Sequence, residues 1–191
     1  MVAAAIIGII LNLLLHGVSN GIVRLLRGAR ATRVGRPCSS LRNSLSLAGF
    51  IVVTFCAPLL GVGAAPGAWY VALNKPAWNP PARIFGPAWT LLYMLMAVAA
   101  WLVWKRAGWR RPLMLYFIQL ALNAAWTPIF FGAHALGWAL AEIVVLWAAI
   151  LLTLLSFHRV HRPAGWLLVP YLAWVTFAAI LSFTLWRLNP A

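Results

Sequence analysis

The chain has 191 residues, 64% of them hydrophobic and only 8% charged, with a mean hydropathy of +0.92. Soluble domains carry about 25% charged residues, so this composition excludes a water-facing surface over most of the chain and makes lipid its solvent. Fifteen Lys and Arg against one acid give a net charge of +14, but the cations fall between apolar runs instead of across one face, which argues against nucleic acid and for an anionic membrane surface.

Residues 1–44 stand apart as an N-terminal extension. Val2–Leu15 is apolar but short for a span, and an Arg-rich stretch without acids follows it to Arg42. A signal or transit-like segment, a peripheral helix or an over-extended start all produce this pattern, and the last two are preferred. Cys38 lies in the Arg-rich tail and Cys56 in an apolar run, settings that argue against a disulfide between them.

A bilayer core about 30 Å thick requires roughly 20 apolar residues per helix. Five segments qualify: Leu45–Gly63, Phe85–Trp104, Pro112–Phe131, Leu136–Phe157 and Trp166–Trp186. In lipid every backbone polar group must be bonded internally, which uninterrupted runs of this length achieve as helices. The expected fold class is therefore an all-α membrane protein, a bundle of five transmembrane helices spanning residues 45–191.

Between the first two segments, Ala64–Ile84 contains Pro66, Pro76, Pro80 and Pro81. Prolines at this density remove donors and bias their neighbours towards extended backbone, so a structured proline-rich loop is expected as a cap at one membrane face. Pro87 suits the first turn of the helix behind it. One side of the bundle receives Arg24, Arg27, Arg30, Arg33, Arg36, Arg42, Lys105, Arg106, Arg110, Arg111, Arg159 and Arg162, and the other only Lys75, Arg83 and Arg187. The positive-inside rule then puts the loop and the C-terminus outside the cytoplasm.

Of twelve Trp, about half suit interfacial belts, among them Trp104, Trp109, Trp166 and Trp186 near segment ends. Phe85, Trp89 and Tyr93 recur every four residues and share one helix face, and Tyr171 and Trp174 lie three apart. Gln119, Asn123 and Thr127 form a polar stripe at the same spacing, serving interhelical hydrogen bonds, a ligand, or both. Glu142, the single acid, is either a structural carboxyl near the interface or a cavity-facing functional group, and its place one turn after Trp138 favours the cavity. His158 and His161 are too few for a stable metal site and are expected in a solvated basic loop. No Cys–His cluster, phosphate loop or Ser–His–Asp set is visible, so binding is preferred over catalysis and no metal is expected.

The segment WYVALNKPAWNPPARIFGPAWTLLY, with QLALNAAWTPIFFGAHALGWAL and PYLAWVTFAAILSFTLWRLN, resembles the TspO/MBR (translocator protein, peripheral-type benzodiazepine receptor) family between Trp69 and Asn189. The resemblance implies a five-helix, commonly dimeric membrane protein that needs no cofactor and binds porphyrins, including protoporphyrin IX and heme, as well as sterols and synthetic drugs. Carried onto this sequence, its pocket is lined by Trp78, Trp89, Tyr93, Asn123, Trp126, Trp138 and Trp174, with Glu142 added from its position. The implied function is a receptor or sensor in tetrapyrrole metabolism or stress response, with photo-oxidative porphyrin degradation or transport as alternatives. The segment around Leu181, Ser182, Phe183 and Arg187 departs from the family's sterol-recognition pattern, which weakens the case for sterols. Thr127 replaces the first of two prolines found in mammalian relatives. That favours a bacterial source and membrane over the mitochondrial outer membrane.

Overall fold

The computed structural model describes residues 37–61 and 67–190. Residues 1–36, and with them most of the N-terminal extension, lie outside the described residues, as does Pro66; the side chain of Cys38 is likewise not described. Helix α1 covers Pro37–Cys56 and continues as a 3-10 turn over Ala57–Gly61. It begins earlier than the expected Leu45, and its α-helical part ends earlier than Gly63. The cause of the early end is Pro58, which has no N–H for the helical ladder and whose ring crowds the carbonyl four residues back.

A short helix α2 (Ala68–Ala72) and a 3-10 turn (Ala82–Ile84) interrupt the loop. Four long helices follow: α3 (Phe85–Ala107), α4 (Arg111–Thr127), α5 (Leu136–Val160) and α6 (Arg162–Leu188). With α1 they make five helices long and apolar enough to cross a membrane. Pro112 sits in the first turn of α4 and Pro163 in that of α6, where a missing N–H costs nothing.

Short connections alternate the helix directions. The packing runs α1 against α3, α3 against α6, α6 against α5, α5 against α4, and α4 against the 3-10 end of α1, so the bundle closes into a ring. Helix α3 is deeply buried, and Ala97, Ala99 and Ala100 let its neighbours approach closely. Lys105, Arg106, Arg110, Arg111, Arg159 and Arg162 are exposed at one end of the ring. The loop, the α4–α5 connection and the end of α6 share the other end, where Trp69 stacks on His134 at 4.2 Å and Asn74 bonds to Asn189.

The His158/His161 region differs from the solvated loop expected there. Helix α5 runs to Val160 and α6 starts at Arg162, so His161 alone makes the turn, and it is only 9% exposed. Two helices joined by one residue must pack at once, which traps the joining side chain against the end of α3. His158 belongs to the last turn of α5. Among the described residues no group of three or more metal-ligating side chains occurs.

Candidate functional site

A cavity of about 420 Å³ opens in the loop half of the ring, within the usual range of roughly 300–1,000 Å³ for small-molecule sites. Helix α3 contributes Phe85, Trp89 and Tyr93, the four-residue stripe read from spacing; α4 contributes Asn123, Trp126 and Thr127; and α6 contributes Trp174, Ser182 and Leu185. The loop closes one side with Tyr70, Asn79 and Pro80. Burial pushes the Tyr70 phenol above its ordinary pKa, partly offset by hydrogen bonding with Asn79.

The aromatic walls are ordered by mutual contact. Trp89 stacks on Tyr93 with centroids 5.3 Å apart and meets Tyr171 edge-on at 6.2 Å. Phe85 meets Trp174 edge-on at 5.9 Å, and Trp126 stacks on Phe130 at 4.8 Å. Phe130 and Phe131 reach the cavity because Pro128 follows Thr127. The chain widens there into a π turn over Pro128–Gly132, closed by Ala133 N–H donating to Pro128 O at 2.9 Å.

Beneath the rings lies a polar bridge. The Tyr93 hydroxyl donates to Asn123 Oδ1 at 2.7 Å, and Asn123 Nδ2 donates to the Tyr171 hydroxyl at 3.1 Å. One amide thus ties α3, α4 and α6 together and fixes the rotamers of two aromatic residues at the cavity floor. Asn123 bonds between helices and also lines the cavity. Gln119, one turn earlier, is buried away from the cavity with both amide atoms unpartnered.

Of the eight expected site residues, the structure brings Trp89, Tyr93, Asn123, Trp126 and Trp174 together around the cavity. Trp78 stands behind the wall, edge-on to Phe177 at 5.9 Å. Trp138 does not reach the cavity and is 76% exposed. The buried stripe of α5 runs through Ala139, Ile143, Leu146 and Ile150, and Trp138 lies about 100° from it on the face shared with the exposed Val145 and Leu152. Glu142 is also absent from the lining; its two carboxyl oxygens are buried without a hydrogen-bond partner.

Residues the sequence reading missed include Pro58, Ile143, Leu146 and Ser182. Pro58 was detectable as a helix breaker near the end of the first span, and Ile143 and Leu146 by the 3.6-residue phase of α5. Ser182 carries no signal of its own in the sequence.

The cavity offers few polar groups. The indole N–H groups of Trp126 and Trp174 are buried without an acceptor, and Asn79 Oδ1 is buried without a donor. Leaving such groups unpaired costs about 1–3 kcal/mol each. Chemically, the aromatic lining suits a flat apolar molecule. Among the described lining residues no nucleophile–base pair occurs.

Comparison with known proteins agrees with this architecture. Residues 46–187 match the TspO/MBR family. The chain is 46% identical over 130 residues to the tryptophan-rich protein TspO of Chlorobaculum tepidum, covering 65% of this chain and 82% of that protein. It is 46% identical over 124 residues to the tryptophan-rich sensory protein of Cereibacter sphaeroides (65% and 78% covered), and 44% identical over 126 residues to the translocator protein of Homo sapiens (63% and 75%). With five apolar helices in a closed ring, an aromatic cavity at the loop end and a match over most of its length, this chain is a multi-pass integral membrane protein and belongs to the TspO/MBR family.

Proposed function

We propose that the protein is a membrane sensor that binds a porphyrin such as protoporphyrin IX or heme in the aromatic cavity and reports on tetrapyrrole status. The observation that carries this reading is a largely apolar cavity walled by Trp89, Trp126 and Trp174. A flat macrocycle is held there by burial and ring contact, each aromatic pair adding about 0.5–1.5 kcal/mol beyond area. The propionates lie at the loop end, near the exposed Arg83. Lys75 is less suited to them, because its ammonium already donates to Val71 O at 3.0 Å and Leu73 O at 3.3 Å. The basic end of the ring faces the cytoplasm.

Binding is preferred over turnover because the described lining is dominated by aromatic and aliphatic side chains. Titration of the protein in lipid nanodiscs with protoporphyrin IX, followed by quenching of Trp fluorescence in the dark, tests the reading. Saturable quenching with full recovery of unaltered porphyrin is expected, and a Trp89→Ala, Trp174→Ala double variant loses at least tenfold in affinity. Unchanged affinity in that variant sinks the proposal. Consumption of the porphyrin under illumination, abolished by the same substitutions, favours photo-oxidative degradation instead.

A further inference from the structure

The loop that walls the cavity is tied to the end of α6 mainly through the Asn189 side chain, with a longer bond from Asn74 Nδ2 to Leu188 O at 3.5 Å. Asn74 N–H donates to Asn189 Oδ1 at 2.9 Å, and Asn189 Nδ2 donates back to the Asn74 carbonyl at 3.0 Å. An amide in this position reproduces the two-bond pairing that a neighbouring strand would make, and it does so across 115 residues of chain. The same Nδ2 reaches Leu185 O at 2.9 Å, where the Asn189 N–H also donates at 3.1 Å, so the clasp is anchored on the last turn of its own helix.

Its position relates it to the cavity. Leu185 lines the cavity from α6, and Tyr70, Asn79 and Pro80 line it from either side of Asn74 along the loop. The clasp therefore joins two walls at the loop end. Other attachments are of a different kind. Trp69 on His134 and Trp78 on Phe177 are ring contacts, which tolerate sliding better than directional bonds do. Lys75 bonds only within the loop. Among the described residues, the hydrogen bonds joining residues 67–81 to α6 and its C-cap all pair Asn74 with Asn189 or Leu188.

We propose that Asn189 is a latch: a positioning residue that holds the loop closed and thereby sets the rate at which the cavity exchanges its ligand. Asn74 takes part chiefly through its main chain, so its side chain is dispensable and that of Asn189 is not. The exchange claim rests on the cavity being the ligand site. The latch itself does not.

Hydrogen exchange on the full chain in lipid nanodiscs, without ligand, tests the latch directly. Asn189→Ala is expected to speed exchange of the loop amides over residues 67–79 about tenfold, with the interiors of α3 to α6 unchanged. Asn74→Ala is expected to keep the wild-type rate. Asn189→Asp, which retains the acceptor and loses the donor, falls between and provides a second variant should Asn189→Ala fail to fold. Stopped-flow dissociation of protoporphyrin IX is expected to accelerate in the same order. Wild-type loop exchange in both Asn189 variants overturns the latch, and so does an Asn74→Ala effect as large as that of Asn189→Ala. A faster loop with unchanged porphyrin dissociation overturns its control of exchange. No porphyrin binding by the wild-type protein sinks the ligand reading and the exchange claim with it, while the loop measurement still decides the latch.

Discussion

Asn123 carries more of the structure than its size suggests. Its amide satisfies the hydroxyls of Tyr93 and Tyr171 in the same low-dielectric interior, so removing it leaves two buried hydroxyls short of a partner. Asn123→Ala is expected to lower stability by about 2–4 kcal/mol, whereas Tyr93→Phe, which removes one bond and keeps the ring, costs about 1 kcal/mol. Denaturant unfolding in micelles, followed by Trp emission, distinguishes the two. A second polar contact pins the outer helix: Thr54 Oγ1 and the Tyr116 hydroxyl lie 2.5 Å apart, joining α1 to α4. Sequence spacing showed that Asn123 lies on a polar stripe with Gln119 and Thr127. It did not show which stripe member is bonded, because that depends on where Tyr93 and Tyr171 arrive from other helices.

At the scale of elements, the α5–α6 hairpin shows how close packing sets chemistry. A Cβ added at Gly165 would stand 2.7 Å from His158 Cβ and 2.8 Å from its Cα, so the two backbones touch there and only glycine fits. Gly165→Ala is expected to splay the hairpin and cost about 1–3 kcal/mol in the same unfolding assay. The hairpin also traps His161, whose imidazole is held below its ordinary pKa first by burial and then by the Arg106 guanidinium. In the folded state the neutral form is favoured, so the unfolded chain binds more protons at mildly acid pH. Stability is therefore intact above about pH 6.5, the ordinary value for His, and declines as the pH falls below it towards the lowered folded value. Thermal melts of wild type and His161→Gln between pH 7.5 and 5 check this, with a smaller decline expected in the variant. The error over Trp138 arose at this same scale. The family resemblance pointed Trp138 inward, and Glu142 was drawn with it by proximity, but the phase of Ala139, Ile143 and Leu146 turns that indole outward. Helical phase on a nearly uniform apolar segment is hard to read, because lipid and protein interior select the same residue types.

Taken whole, the molecule is a five-helix ring whose two ends differ in chemistry: exposed cations at one, and an aromatic cavity bordered by a proline-rich loop at the other. Its spans were readable because hydrophobic length is a direct consequence of bilayer thickness, while several ends moved: α1 begins at Pro37 instead of Leu45, α3 runs on to Ala107, and Pro58 and the one-residue turn shift others. The ring order was not readable, since nothing in five apolar segments ranks their neighbours. The cavity was half legible: Trp89, Tyr93, Asn123, Trp126 and Trp174 converge on it, while Trp138 and Glu142 do not and Trp78 stands one ring away.

The central claim, that the ligand enters this cavity and does not bind the lipid-facing aromatic surface, is tested most directly by comparing two single substitutions in one assay. Trp174 lines the cavity at 3% exposure and Trp138 faces outward at 76%. In nanodisc titrations with protoporphyrin IX, Trp174→Ala is expected to weaken binding at least tenfold and Trp138→Ala to leave it within twofold of wild type. Weakened binding in Trp138→Ala with wild-type affinity in Trp174→Ala would contradict the account.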